Sequence, residues 1–216
     1  MKKCVVSFAD KAGSYQAKMK RLEQSLKGNF DGDFLGFTDY NEIGCEPHSV
    51  IPYKFKPYAI QKAIDLGYEQ ILWCDSPIVA IKTIQPVFDH IEKHGYVFFD
   101  NIGHPLGRWT NQKCLDYFKM DRVNAMFVKM IMACCMGFNP NLSCHRIPHL
   151  FKKYWALADD LYPGSWDEHR HDQTVMSFLI RQYGLDILTG QDTFFAYEQH
   201  YGVLPIADSV CLVSKG

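Results

Sequence analysis

The chain has 216 residues, a formal net charge of -1 and 22% charged residues. That length suits one large domain, and the near-neutral charge supplies no basic field to recruit nucleic acid or an acidic membrane. Small molecules and neutral polymers are the partners left, and fifteen Phe, twelve Tyr and four Trp can furnish a core together with a sugar- or base-stacking surface.

Lys3 to Ala9 is predicted as a first strand, buried through Val5, Val6 and Phe8, followed by a turn from Asp10 to Gly13. Ser14 is placed to cap a helix in which Met19, Leu22 and Leu26 repeat at helical spacing, and Gly28 to end it in a left-handed conformation. A loop rich in Gly and Asp leads to a second strand, Phe34 to Thr38, so the chain opens as a βαβ unit with a parallel pair. A polar loop over 39 to 53 precedes a helix with Pro57 in its first turn and Gly67 at its close. Ile71-Leu-Trp-Cys then runs as a buried strand into Asp75, a carboxylate that a strand interior would not tolerate unpaired. Asp75 is therefore expected at the strand's carboxyl end, where an open α/β sheet binds its ligands.

Ile84 and Pro86 start the next helix, with Val87, Phe88 and Ile91 toward the sheet and Gly95 at its end. Tyr96 to Phe99 is a further strand, stopped by Asp100, a second carboxylate at a strand end. Residues 102 to 112 lack periodicity and read as an exposed loop. Helices over 113–119 and 122–131, the second capped by Asp121, lead to a strand of small and apolar residues from Ala133 to Asn139. An amphipathic helix from Pro148 to Ala158, a loop from Tyr162 to Arg170 and a helix headed by Asp172 follow. Leu185 to Leu188 and Val210 to Val213 are the closing strands, with an irregular stretch containing His200 between them.

None of the eight cysteines has C-x-x-C spacing, and they read as small buried thiols. The N-terminus starts positively, but its apolar run is too short for a signal peptide, and no stretch approaches the roughly 18 apolar residues of a membrane span. A reduced, cytoplasmic protein is expected.

Four sites stand out. Lys56, just ahead of a helix N-terminus, could meet a phosphate or be an ordinary solvated lysine. Asp75 is marked by its position. Asp100 could be functional or form a turn with Asn101. In His169-Arg-His-Asp-Gln173, His-x-His on a strand would suit zinc, while a capped helix start and a substrate-contacting Asp-Gln pair are the other readings. His200 is either a lone loop histidine or a ligand. The absence of Gly-x-Gly-x-x-Gly after the first strand and of Gly-x-x-x-x-Gly-Lys-Ser/Thr counts against a dinucleotide oxidoreductase and a P-loop phosphotransferase.

The segments Val5-Val-Ser-Phe-Ala-Asp10 with Tyr15, Lys56-Pro-Tyr-Ala-Ile60 ahead of Gln70-Ile-Leu-Trp-Cys-Asp75, Ala133-Cys-Cys-Met-Gly-Phe-Asn139 and His171-Asp-Gln173 come in an order that resembles the nucleotide-sugar glycosyltransferases of the GT-A fold, especially small bacterial and viral members. The resemblance implies a single α/β domain whose mostly parallel, Rossmann-like central sheet is flanked by helices, with residues 1–100 as a nucleotide-binding half and 101–216 as an acceptor-binding half. It implies that Ala9, Asp10 and Tyr15 receive the base and ribose and that Lys56 lies near the donor. Asp75, with Ser76 beside it, matches the first acidic residue of the Asp-x-Asp motif that holds ribose and a divalent metal on the diphosphate. Asp172 and Gln173 match the catalytic Asp-Gln pair beside the transferred sugar. Asp100, Arg108 and Trp109 are placed on the acceptor side, because a polar strand end followed by an exposed aromatic loop suits sugar stacking.

The departure is Pro77, which stands where the second Asp should be and cannot ligate a cation. Three readings follow: Mn²⁺ or Mg²⁺ held by Asp75, His200 and the diphosphate; an enzyme working through Lys56 and backbone donors; or a non-catalytic module that binds nucleotide sugars or carbohydrate. The expected activity is hexosyl transfer from a nucleotide-diphosphate donor, UDP-linked, to a glycan or other hydroxyl acceptor. A sugar-phosphate nucleotidyltransferase is a further alternative, although residues 5 to 15 lack its usual Gly-rich, Arg-containing loop.

Overall fold

A computed structural model describes every residue except 12–13, 142–145, 201–205 and 216 and the side chains of Gln191 and His200. It opens with β1 (Lys3–Phe8), α1 (Tyr15–Leu26) and β2 (Asp33–Phe37), and the two strands are parallel, as the sequence predicts. α1 buries Met19, Leu22 and Leu26, although Ser14 makes no side-chain cap. The stretch read as a polar loop contains one helical turn, α2 (Tyr40–Ile43), because the Asp39 carboxylate accepts the Asn41 N–H at 2.9 Å. α3 (Phe55–Asp65) carries Pro57 in its first turn, and β3 (Gln70–Cys74) lies parallel to β1. Gly28, Gly67 and Gly95 hold φ near +80°, at +80°, +81° and +85°, and stop their helices as predicted.

Beyond Asp75 the chain departs from the sequence reading. A short strand, β4 (Ile78–Ala80), precedes α4 (Gln85–His94) and β5 (Tyr96–Val97). The stretch after Asp100, expected as a loop, begins with β6 (Asp100–Pro105), whose Gly and Pro conceal it, and continues as a 3₁₀ turn over Leu106–Trp109. α5 (Gln112–Phe118) and α6 (Arg122–Ala125) follow, and the second predicted helix stops early because β7 (Lys129–Ile131) pairs with β6. β8 (Cys135–Phe138), α7 (Arg146–Ala156), α8 (Ala158–Leu161), α9 (His171–Gln182), β9 (Phe195–Tyr197) and β10 (Leu212–Ser214) complete the described elements. The predicted strand at Leu185 to Leu188 reduces to a single bridge between Phe99 and Leu188.

The central sheet has the order β2-β1-β3-β8-β5, with β8 antiparallel to both neighbours. This is a mixed, mainly parallel sheet in a single α/β domain. Ile71, Leu72, Trp73 and Cys74 of β3 are all buried, as a middle strand covered on both faces requires. Val6, Ile71 and Trp73 pack with α3, α7 and α9 on one side, and Val5, Leu72 and Cys74 with α1 and α4 on the other. β10 lies outside this sheet, in a three-stranded one ordered β4-β10-β9.

Chain order places β2 on one side of β1 and β3 on the other, so the crossovers diverge between β1 and β3. At such a switch point the loops leave a crevice beyond the strands' carboxyl ends. Asp10 follows β1 and Asp75 follows β3, so one carboxylate stands on each side of it.

Candidate functional site

The crevice is a cleft of about 390 Å³, a size suited to a small organic ligand. Asp10 and the Asp75–Pro77 turn line it, and Tyr15, Tyr40 and Tyr53 give it an aromatic wall. Phe8 fixes that wall by stacking on Phe55 at 4.8 Å and meeting Tyr40 at 4.7 Å. The Tyr40 hydroxyl donates to Asp10 Oδ2 at 3.1 Å. His48 sits edge-on to Tyr53, and burial holds its imidazole below the ordinary range.

Behind Asp75 lies a buried charge cluster. Lys56 Nζ is 3.2 Å from Asp75 Oδ1 and 3.2 Å from Asp172 Oδ2, and it donates to the Ala133 carbonyl at 3.0 Å. An ammonium has three N–H groups, so these three partners saturate it. Trp73 Nε1–H donates to Asp75 Oδ1 at 2.7 Å and the Tyr154 hydroxyl to Asp172 Oδ2 at 3.3 Å. Burial disfavours the Lys56 ammonium, but Asp172 and Asp75 outweigh it and hold the group above the ordinary lysine range. Burial pushes Asp172 up to about 6, with Asp75 adding to the rise and Lys56 opposing it.

Two residues beside this cluster have backbones in the left-handed region, Tyr53 at φ +60° and His171 at φ +46°, and their rings lie 5.4 Å apart. Residues with side chains rarely adopt that conformation, and such strain collects at functional sites. Trp166 extends the stack, 5.9 Å from Tyr53 and 5.6 Å from His171. The Arg170 guanidinium is sandwiched between Trp166 at 3.9 Å and Trp109 at 4.0 Å, and Arg108 covers Trp109 at 5.1 Å. A band of alternating rings and cations thus leads away from Tyr53.

Ala9, Asp10, Tyr15, Asp75 and Ser76 meet at the cleft, with Lys56 behind them. Asp172 does not face the cleft. It is 2% exposed, and its Oδ2 is taken up by the Lys56 ammonium and the buried Tyr154 hydroxyl. Gln173 Nε2–H donates to the Ile131 carbonyl at 2.6 Å, which braces α9 on β7. Arg108 and Trp109 join the aromatic band, but Asp100 stands apart. Its Oδ2 is 2.9 Å from Lys129 Nζ, since β7 sets that lysine beside it, and it lines a separate small cavity with Thr189 and Phe195. His169 and His171 each donate one ring N–H to a main-chain carbonyl, of Leu161 at 2.6 Å and Tyr162 at 2.7 Å; the first ties the end of the 162–170 loop to α8 and the second ties its start to α9. The side chain of His200 lies outside the described residues. Sequence reasoning missed Tyr53, Trp73, Trp166 and Arg170. Arg170 and Trp73 carried a signal, their places in the His169–Gln173 run and in the strand that leads to Asp75.

Among the described residues no three His, Cys, Asp or Glu side chains converge on a point where a metal could sit. Asp75 nevertheless keeps an edge toward the cleft, its side chain 30% exposed, and with Asp10 and Asp172 it leaves the site short of positive charge around a single Lys56. This donor set fits a divalent ion shared between one carboxylate and phosphate oxygens, the usual arrangement for Mg²⁺, and not one caged by the protein alone.

No family model and no curated protein matches the sequence. Solved structures do share its fold. One is the bifunctional glycosyltransferase WbbM, at a TM-score of 0.62 and 12% identity over 98% of this chain, which spans 45% of that one. A second, at a TM-score of 0.63 and 16% identity over 99% of this chain and 93% of that chain, is a glycosyltransferase involved in glycosylation of the major capsid of PBCV-1. A third is the galactosyltransferase LgtC, solved with donor and acceptor sugar analogs, at 0.54 and 11% over 98% of this chain and 86% of that chain. The chain has the GT-A glycosyltransferase fold.

Proposed function

We propose that this chain, built on the GT-A glycosyltransferase fold, transfers a hexosyl group from a nucleoside diphosphate donor, UDP-linked, to a hydroxyl of a glycan. The observation that carries the reading is the pair of carboxylates, Asp10 and Asp75, flanking the switch point beneath an aromatic wall. Tyr15 and Tyr40 offer faces for a base, and Asp10 and Asp75 accept from ribose hydroxyls. All the described residues lining the cleft fall between Phe8 and Pro77, which supports residues 1–100 as the donor half. Residues 101–216 then hold the acceptor, with Trp109, Trp166 and Arg170 as its stacking band.

The donor's diphosphate faces Asp75 and Ser76. A divalent cation held by Asp75 and the phosphates would neutralise the charge that develops on the departing diphosphate. Lys56 fixes Asp75 from behind, and Asp172 and Gln173 work through it: Asp172 holds the Lys56 ammonium and Gln173 anchors their helix. The described cysteines are free thiols, and we place the protein in the reducing cytoplasm on that ground. Among the described residues no helix is long and apolar enough to cross a membrane.

The burial of Asp172 favours one rival, a module that binds nucleotide sugars without turning them over. Incubation with a panel of nucleotide sugars and glycan acceptors, with and without Mn²⁺, separates the two. Transfer predicts release of nucleoside diphosphate that depends on acceptor. Thermal stabilisation without release would leave the binding module, and no stabilisation by any donor would remove both.

A further inference from the structure

Among the described residues Arg170 is a cation without a counterion. Its guanidinium lies between the Trp166 ring at 3.9 Å and the Trp109 ring at 4.0 Å, so its faces are taken and its N–H edge is left for a partner. A guanidinium carries five N–H donors, and none of those of Arg170 is in a hydrogen bond or ion pair among the described residues. Nη1 is buried, which makes the missing partner costly, while the residue as a whole is half-buried and the rest of its edge is open to solvent. Burial holds the group below the ordinary arginine range, with Asp167 opposing from beyond ion-pair distance. An arginine keeps its charge even so.

A second unmet donor stands beside it. Among the described residues four buried side-chain polar atoms have no partner, and two of them, Arg170 Nη1 and Trp109 Nε1, belong to residues in contact with each other. Arg108, exposed and 5.1 Å from the same indole, is in no ion pair among the described residues either. Asp167 and Glu168 precede Arg170 in its loop, but both are exposed and neither takes up its N–H groups. Donors that carry positive charge and accept nothing suit an oxyanion, whose oxygens would accept from the guanidinium edge and from the indole N–H. Trp166, 48% exposed, links Arg170 to Tyr53 of the donor cleft, 5.9 Å away, so an oxyanion held here lies beside the donor.

Resting on the reading of this band as the acceptor side of a glycosyltransferase, we propose that Arg170 and Trp109 hold an oxyanion of the acceptor, the carboxylate of a uronic acid or the phosphate ester of a sugar, and so select an acidic glycan over a neutral one. The net charge of -1 gives no hint of this, because the charge that matters is local, two arginines against one indole.

The test is titration of the full chain's tryptophan fluorescence with glucuronate, glucose-6-phosphate and glucose at matched ionic strength. A saturable change is expected with an oxyanion-bearing sugar and none with glucose, and the tighter of the two anions identifies the source. Arg170→Gln should weaken that binding by about tenfold or more, and Trp109→Phe, which keeps a ring and deletes the N–H, by about tenfold. Trp166 remains as the reporter in both. Arg170→Lys, which keeps the charge and loses the planar fork, should fall between the wild type and Arg170→Gln. No response to either anion, an equal response to glucose, or binding that Arg170→Gln leaves unchanged would overturn the proposal. Release of nucleoside diphosphate from the donor panel is read separately, with glucuronate-containing and neutral glycans as acceptors. Release that favours neutral glycans overturns the acidic acceptor and leaves the transferase. Arg170-dependent anion binding without release from any donor supports the oxyanion site and removes the transferase.

Discussion

Lys56 and Asp172 form an ion pair inside the protein, Nζ 3.2 Å from Oδ2, with each side chain 3% exposed. Removing one partner of a buried pair strands the other charge, so Lys56→Met should cost about 3–5 kcal/mol. Adding Asp172→Asn removes one of the two stranded carboxylates and should recover part of that loss. Urea denaturation of the two single variants and the double variant measures the coupling, and additive losses would show that the two groups do not interact.

The Asp172 carboxyl, pushed up to about 6 from an ordinary 3.8, binds its proton more tightly in the folded chain than in the unfolded one. Its contribution to stability is therefore fully present below pH 3.8 and is lost as pH rises through about 6. Asp172→Asn should remove that part of the pH dependence. The difference between the wild-type and variant urea midpoints, followed across the window, isolates it from the other carboxylates.

Metal binding should require the nucleotide. With one carboxylate edge available at Asp75, Mn²⁺ alone should leave the melting temperature unchanged, whereas Mn²⁺ with UDP at about a hundredfold excess over its Kd should raise it by roughly 5–10 °C. A comparable shift with Mn²⁺ alone would mean that the protein supplies a full ligand set.

Tyr53 separates strain from recognition. At φ +60° a glycine is comfortable and an alanine is not, so Tyr53→Gly should be more stable than Tyr53→Ala by about 1 kcal/mol. Both lose the cleft wall, and both should bind UDP about tenfold more weakly. Calorimetric titration beside thermal melts reads the two effects separately.

Gly107 tests the seat of α6. A Cβ there would come within 2.7 Å of the Arg122 carbonyl oxygen and 2.8 Å of the Met126 nitrogen, both backbone atoms that cannot swing aside. Gly107→Ala should cost about 1–3 kcal/mol, read as a lower urea midpoint.

The parallel start of the sheet and the position of Asp75 were legible because they rest on local patterns: helical spacing at Met19, Leu22 and Leu26, and an apolar run ending in a carboxylate. β4 and β6 were not, since Ile78–Ala80 is too short for a period and Gly103 and Pro105 imitate a loop. At the site, sequence located Lys56, Asp75 and Asp172 but not their arrangement. That Asp172 meets both Lys56 and Tyr154 follows from how α7 and α9 pack, and Tyr154 announces nothing of this in the sequence. Asp100, expected to end a strand as Asp75 does, instead begins β6, where Lys129 and Thr189 take up its carboxylate, neighbours that no local pattern reveals.

Pro77, although its side chain cannot hold a metal, tethers the donor turn: its carbonyl accepts from the Lys215 N–H at 3.0 Å and from Arg21 at 3.3 Å, while β10 pairs with β4 just beyond it. The turn bearing Asp75 is thus fastened by residues made more than a hundred positions later. During synthesis on the ribosome the first half of the sheet can form while this turn still lacks its last anchors, so full competence to grip a nucleotide should come only once residues 212–215 have emerged.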